Sequence, residues 1–91
     1  MLFRSIDGII DFININKPNK IIIIGYTDSD GTDSHNLELS LNRAKEVMTL
    51  LTNNNININI ETFGKGKANP VATNTNSIGK SKNRRVEIIF E

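Results

Sequence analysis

Four consecutive isoleucines, Ile21 to Ile24, constrain the fold of this chain more than any other feature of its sequence. β-Branched side chains favour strands, and an apolar run between Lys20 and Gly25 is typical of a strand buried on both faces. The run is far shorter than the roughly 20 apolar residues that cross a bilayer. It predicts the central strand of a small sheet, and we expect neither a membrane-spanning segment nor a signal peptide in the chain.

Helical periodicity is found on both sides of this strand. Apolar residues spaced by three and four predict an amphipathic helix from Leu2 to Ile13, and Pro18 prevents its continuation. The same spacing predicts a longer helix from Asn36 to Leu51, with Ser34 or Asn36 as its N-cap. Three asparagines then stop this helix.

Two further strands complete the predicted sheet. Isoleucines alternate with polar residues from Ile56 to Glu61, and apolar residues alternate again from Val86 to Phe90. Between them, residues 64–82 predict a long basic loop with a short helical turn at residues 70–74. The order α-β-α-β-loop-β predicts an α/β two-layer sandwich, with helices packed on one face of a small mixed β-sheet. At 91 residues, the chain is expected to form a single domain.

The charges are balanced in number but separated along the chain. Residues 62–86 hold six of the eleven Lys and Arg residues and none of the ten Asp and Glu residues. The sequence therefore predicts two surface patches of opposite sign. The basic segment, residues 65–85, supports an alternative function, the binding of nucleic acid or another anionic polymer. No aromatic residue is interleaved with its cations as a stacking platform, so we do not expect nucleic acid as a partner.

Motifs for catalysis or metal binding are incomplete. Residues 28–33 resemble a calcium loop, yet Asp33 occupies the position that requires glycine. Asn74 replaces the first glycine of a Walker-like Gly79-Lys80-Ser81. His35 is the single histidine and the chain has no cysteine, so neither a nucleophilic triad nor a zinc site is indicated. We expect no metal, no cofactor and no enzymatic activity.

Four polar residues are nevertheless placed to line one cleft. Asp28 follows the isoleucine strand, while Asn36 and Arg43 are seven residues apart and project along one stripe of the long helix. Arg84 enters from the start of the last strand. A carboxylate and a guanidinium in one cleft suit a zwitterionic ligand, whose ammonium and carboxylate groups they bind. The competing interpretation is structural: Asp28 caps its loop and Arg43 pairs with it.

Several separated blocks of sequence form one recognisable pattern between residues 20 and 90. They are Gly25-Tyr26-Thr27-Asp28, then Asn36 to Ala44, then Phe63 to Gly66, and finally Asn83-Arg84-Arg85-Val86-Glu87-Ile88. In this order the blocks resemble the OmpA-like peptidoglycan-binding domain. The resemblance implies a domain that binds peptidoglycan without covalent linkage, through the diaminopimelate of its stem peptide, and so anchors an envelope protein to the cell wall.

The resemblance also implies the residues of a binding site. Asp28 and Arg43 match the acid and the arginine that hold the zwitterionic end of diaminopimelate in the family. Thr27 and Asn36 match residues that shape this pocket, and Arg84 matches one that borders it. The resemblance further implies a periplasmic location in a Gram-negative envelope, with membrane contact only through a tether outside this chain.

The sequence departs from the family pattern in two respects. Tyr26 stands where the family has histidine, and His35 where it often has another aromatic residue, so we expect the rim of the pocket to differ. The strand that precedes the family's first helix has no counterpart in the pattern. We therefore expect an N-terminally shortened sheet: either the chain is a fragment of a longer envelope protein, or an exposed sheet edge pairs with something else and supports an oligomer.

Overall fold

The computed structural model describes residues 6–91, which form three helices and three strands. Leu2 and Phe3, which the periodicity assigns to the first helix, lie outside the described residues. In chain order the elements are α1 (Ile6–Asn16), β1 (Lys20–Gly25), α2 (Asp33–Asn53), β2 (Asn59–Gly64), α3 (Ser77–Asn83) and β3 (Val86–Phe90). None of the helices within residues 6–91 combines the length and apolar character needed to cross a membrane.

The isoleucine strand β1 is the central strand of the sheet, as predicted. The strand order within residues 6–91 is β2-β1-β3, with β2 parallel and β3 antiparallel to β1. Ile23, for example, pairs with Thr62 on one side and with Ile88 on the other. Because β1 and β2 are parallel, the helix that connects them begins at the carboxyl ends of both strands. The loops that carry the predicted site residues therefore meet at this end of the sheet.

Helices α1 and α2 pack on one face of the sheet, which confirms the predicted two-layer fold. The buried core of this layer consists of Ile9, Ile13, Ile21, Ile23, Ala44, Leu51, Ile56 and Ile88. Side chains that alternate with these along the strands point to the opposite face. There, Ile22 is half-buried, while Phe63 and Ile89 are 47% and 44% exposed. Burial on both faces therefore holds for most of β1 but not for the whole sheet.

Strand β2 begins three residues later than predicted. Helix α2 ends at Asn53, and Asn55 adopts a left-handed conformation with φ of 65°. This turn directs Ile56 into the core, where it is only 6% exposed, before the strand starts at Asn59. The alternating isoleucines therefore belong to two different structures: Ile56 is a buried loop residue, and Ile60 lies in β2.

The helical turn predicted at residues 70–74 is wrong in position, since the helix of this connection is α3. Asn76 is its N-cap, and the Asn76 side chain accepts a hydrogen bond of 2.8 Å from the Gly79 amide. A side chain at Gly79 would clash with the carbonyl of Thr73, so this glycine allows α3 to fold back against the preceding loop.

Helix α2 lies directly against the ends of β1 and β2. Gly25 and Gly64 are paired neighbours in the sheet, and a β-carbon on either would clash with the helix backbone at Ser40 or Leu41. The helix also starts earlier than predicted, because Thr32 is the N-cap and its side chain accepts a hydrogen bond of 3.2 Å from the His35 amide. These contacts fix the height of α2 above the ends of the strands.

Candidate functional site

Asp28 lies in the loop after β1 and is 8% exposed. Its Oδ1 accepts a hydrogen bond of 2.9 Å from the Asp30 amide, and its Oδ2 accepts one of 2.7 Å from the Arg84 guanidinium. The hydrogen bond from Arg84 is the main cause that lowers the pKa of Asp28 below its usual value, with the Asp30 amide next and burial opposing both. Asp28 is thus held as a carboxylate and caps its own loop.

Thr27 and Tyr26 precede Asp28 and have structural contacts. The Thr27 hydroxyl donates to the Asp28 carbonyl at 2.8 Å, and the Thr27 amide donates to the Gly66 carbonyl at 2.7 Å. The ring of Tyr26 is buried beneath the guanidinium of Arg85, 3.8 Å from the ring centroid. The ring of Tyr26 is therefore covered, and the expected difference at the rim of the pocket stays a prediction.

Helix α2 carries Asn36 and Arg43. The half-buried Arg43 donates a hydrogen bond of 3.3 Å to the carbonyl of Tyr26, and no carboxylate of residues 6–91 forms an ion pair with it. Asn36 is 2% exposed, and its Nδ2 has no hydrogen-bond partner within the described residues. Leaving such a buried donor unpaired costs about 1 to 3 kcal/mol. Near the end of β1, α2 therefore carries one unpartnered donor, Nδ2 of Asn36, and one guanidinium without a carboxylate partner in residues 6–91.

The five predicted site residues are brought together only in part. Asp28 pairs with Arg84 and not with Arg43, so the competing interpretation of an Asp28–Arg43 pair is wrong. Arg43 reaches the carbonyl of Tyr26, two residues before Asp28, which places its guanidinium at the same end of β1. Thr27 and Asn36 are both buried at this end.

The acids of residues 28–33 and the cations of the basic segment face one another. Three ion pairs join them, Asp28–Arg84 at 2.7 Å, Asp30–Lys80 at 3.2 Å and Asp33–Lys67 at 2.9 Å. The two charge patches of the sequence thus lie in contact. Arg85 pairs with Glu87, so within the described residues only Lys65 and Lys82 of the basic segment have no ion pair. This pairing reduces the charge available for a phosphate backbone.

Two asparagines that the sequence analysis did not assign to the site organise its loops. Asn83 is fully buried and accepts hydrogen bonds from the amides of Val71 and Ala72 at 2.8 and 3.0 Å. Its Nδ2 donates to the Ala72 carbonyl and to Oδ1 of Asn74, both at 2.9 Å. Asn74 Oδ1 also accepts from the Ser29 amide at 3.3 Å. The signal that pointed to Asn83 was its place in the Asn83-Arg84-Arg85 block of the family pattern.

Ser40 contributes to this architecture from inside the protein. It is fully buried, accepts a hydrogen bond of 2.9 Å from the Gly66 amide and donates one of 2.9 Å to the Leu37 carbonyl. The hydroxyl therefore ties α2 to the loop after β2. Although Ser40 lies near Asn36 and Arg43 on the helix, its hydrogen bonds are used within the fold.

A cavity of about 470 Å³, here called the side cavity, adjoins these residues. Its lining includes Ser29, Leu37, Lys65, Gly66, Pro70 and Asn74. None of the five predicted ligand-binding residues lines it, but Ser29 follows Asp28 and Leu37 follows Asn36. The side cavity is therefore a neighbour of the predicted site. Within residues 6–91 no group of three or more acidic or histidine side chains is arranged to hold a metal ion.

The fold is that of a small α/β domain whose sheet carries, at one end, a carboxylate and a guanidinium that forms no ion pair within residues 6–91. The chain belongs to the OmpA family, whose sequence profile matches residues 4–84. This membership confirms the resemblance deduced from the separated sequence blocks.

Several known proteins are similar to the chain. Outer membrane protein A of Bordetella avium is 49% identical over 69 residues, which cover 75% of this chain and 36% of that protein. Peptidoglycan-binding protein ArfA of Mycobacterium tuberculosis is 35% identical over 88 residues, covering 96% of this chain and 27% of that protein. The chain thus spans 36% of the length of the first of these curated relatives and 27% of the length of the second.

The fold is shared with solved structures. The cell wall anchor of the T6SS from Pseudomonas aeruginosa superposes with a TM-score of 0.76 at 30% sequence identity, covering 93% of this chain and 63% of the other. The α/β architecture built around the isoleucine strand is therefore that of OmpA-like domains.

Proposed function

We propose that this domain binds peptidoglycan non-covalently, through the diaminopimelate of the stem peptide, and so anchors an envelope protein or complex to the cell wall. The observation that carries the proposal is the position of the half-buried Arg43. Its guanidinium donates to the Tyr26 carbonyl, two residues before Asp28, and forms no ion pair with a carboxylate of residues 6–91. Peptidoglycan binding by ArfA and the cell-wall role of the T6SS anchor support it.

The chemistry of each residue fits a zwitterionic ligand end. Arg43 offers a planar fork of donors for a carboxylate, and Asp28 stays ionised to accept an ammonium group. The unpartnered Nδ2 of Asn36 is a second donor for the carboxylate. Thr27 holds the backbone of the loop, and Arg84 borders the site and orients Asp28. A stem peptide with lysine in place of diaminopimelate lacks the second carboxylate that Arg43 would bind.

The expected affinity is moderate. Each charge-assisted hydrogen bond contributes roughly 1.5 to 3 kcal/mol, and part of this is offset by ordering of the ligand. An anchor that uses many copies along a polymer does not require tighter single contacts. In this proposal the domain is non-enzymatic and periplasmic, and a tether outside this chain connects it to a membrane.

The test is cosedimentation with purified sacculi. Asp28→Asn and Arg43→Gln remove one charge each and keep a polar side chain, and each is expected to weaken binding at least about tenfold. Glu46→Gln and Lys45→Gln are matched controls, because both side chains are exposed on the same helix as Arg43 and form no ion pair within the described residues. Equal sedimentation of all five proteins would overturn the proposal.

A titration with free meso-diaminopimelate, followed by NMR, tests the ligand itself. We expect the largest amide shifts at residues 27–29 and around Arg43. A stem tripeptide that ends in diaminopimelate should bind more tightly than the same tripeptide ending in lysine amide, whose side-chain end has an ammonium group and no carboxylate. Equal affinity of the two tripeptides would contradict the role of Arg43.

A further inference from the structure

The side cavity lies next to the proposed diaminopimelate site but is not part of it. Its wall is shared with the site, because the Thr27 amide donates to the carbonyl of Gly66, which lines the cavity. Ser29, at the other wall, is held by Asn74 and directly follows Asp28. A ligand that is bound at Asp28 and extends past Ser29 would meet a wall of the side cavity.

The lining of the side cavity is largely apolar and has one uncommitted charge. Leu37 is 50% exposed and faces Gly66, and Pro70 adds a second apolar surface. Lys67 and Asp33 also line the cavity, but they pair with each other at 2.9 Å. Lys65 lines it as well and has no ion pair with any residue of 6–91.

This lining selects between the parts of peptidoglycan. A sugar presents several hydroxyl groups and requires several free polar partners. In the side cavity Oδ1 of Asn74 already accepts from Ser29 and Asn83, and the Asp33 carboxylate already binds Lys67. A small residue with one methyl group and one carboxylate matches the lining better, since it needs an apolar surface and a single cation.

We propose that the side cavity binds the alanine that follows diaminopimelate in the stem peptide, with its methyl group against Leu37 and Pro70 and its free carboxylate at Nζ of Lys65. This inference rests on the proposed function and deepens it. A cross-link converts the alanine carboxylate into an amide, so the domain would prefer stems that are not cross-linked through this residue.

The experiment compares three ligands by calorimetry: free meso-diaminopimelate, the stem tripeptide that ends in diaminopimelate, and the tetrapeptide that ends in D-alanine. The tetrapeptide is expected to bind about threefold to tenfold more tightly than the tripeptide. Lys65→Gln removes this gain and leaves the affinity for free diaminopimelate unchanged. Amidation of the terminal carboxylate of the tetrapeptide has the same effect as Lys65→Gln.

Lys82→Gln is the matched control, because Lys82 is the other cation of the basic segment without an ion pair in residues 6–91 and does not line the side cavity. Lys82→Gln is expected to bind the tetrapeptide more tightly than the tripeptide, as the wild type does. Equal affinity for tripeptide and tetrapeptide, or an equal loss for all three ligands in Lys65→Gln, would overturn the inference while leaving the proposed function intact. If none of the three ligands binds, the proposed function fails and the inference fails with it.

Discussion

The guanidinium of Arg84 donates to Oδ2 of Asp28 at 2.7 Å, across 56 positions of sequence. The carboxylate proposed to hold the ligand's ammonium group therefore already has a cation beside it. Each oxygen of Asp28 accepts one hydrogen bond from the protein, Oδ1 from Asp30 and Oδ2 from Arg84. A carboxylate oxygen has two acceptor sites, so both oxygens retain capacity for a ligand. The pair orients Asp28 without blocking it.

Arg84→Gln tests this pair through the pH dependence of stability. The folded pKa of Asp28 lies below its unfolded value near 3.8. The stabilisation is therefore present above the unfolded pKa and is lost as the pH falls through the folded pKa. We expect Arg84→Gln to lower the free energy of unfolding near neutral pH by at most about 1 kcal/mol, since a partly exposed pair is screened by solvent. The Arg84 side chain is 42% exposed.

The measurement is urea unfolding at about pH 7 and at about pH 3. Below the unfolded pKa the difference between the two proteins should shrink, because the unfolded chain takes up a proton at Asp28 that the folded protein binds less readily. Lys82→Gln, a cation of the same segment without an ion pair in residues 6–91, should follow the wild-type profile at both pH values. A constant difference between Arg84→Gln and wild type across this range would contradict the assignment.

Asn83→Ala is expected to destabilise the domain by roughly 2 to 4 kcal/mol, because it removes a buried side chain and leaves several buried polar groups without partners. The amides of Val71 and Ala72 lose their acceptor, and Asn74 loses its donor. The exposed Asn57 offers a control, and Asn57→Ala should change stability by less than about 0.5 kcal/mol. Urea unfolding of both variants checks the prediction, and equal stabilities would contradict it.

Gly64→Ala is expected to cost about 3 kcal/mol or more, since a β-carbon there meets helix backbone that cannot move as a flexible side chain does. The clash involves the Leu41 amide and the Leu37 carbonyl of α2. Thermal unfolding measures the loss, with the exposed Ser81→Ala as a control of similar size. A melting temperature of Gly64→Ala equal to that of the control would show that α2 is not seated on the strand as described.

The salt dependence of oligonucleotide binding tests the alternative function, the binding of nucleic acid or another anionic polymer by the basic segment. A basic segment whose cations are mostly ion-paired should release few counterions, so any binding should show a slope of log K against log salt shallower than about −2. Only Lys65 and Lys82 of this segment have no ion pair in residues 6–91. A steep slope, retained in Arg43→Gln, would favour a nucleic-acid or anionic-polymer binder.

Self-association through a sheet edge stays a prediction. Within residues 6–91 the outer edges of β2 and β3 have no neighbouring strand, and such edges present free backbone groups for pairing. If an exposed edge pairs with a second copy of the chain, the apparent mass in size-exclusion chromatography rises with protein concentration. A heat-stable monomer at every concentration would contradict it.

The sequence predicted those parts of the fold that depend on local periodicity. The central position of β1 followed from four adjacent isoleucines, and α2 followed from a helical repeat. The start of β2 could not be predicted, because Ile56 fits the alternation of a strand but is buried from a loop. The position of α3 depended on the Asn76 cap within a polar segment that has no apolar stripe.

The sequence predicted which residues lie at the site but not which of them form ion pairs with each other. The spacing of Asn36 and Arg43 placed both on one stripe of α2, and both were found at the end of β1. That Asp28 pairs with Arg84 depends on how the loop after β2 folds back, which Asn83 determines through contacts 9 to 12 residues away. Spacing along one helix carries no information about such contacts.

The adjoining glycines of the two parallel strands have a consequence for ligand selectivity. They let one rigid helix rest on the sheet, and that helix supplies the donors proposed for the carboxylate, while the strand end supplies the acceptor for the ammonium group. In this proposal the spacing between the ammonium and carboxylate groups at one end of the ligand is therefore set by helix-to-sheet geometry. Substitutions in the surface loops should change how tightly a ligand is retained, yet leave the preferred spacing of these two charges unaltered.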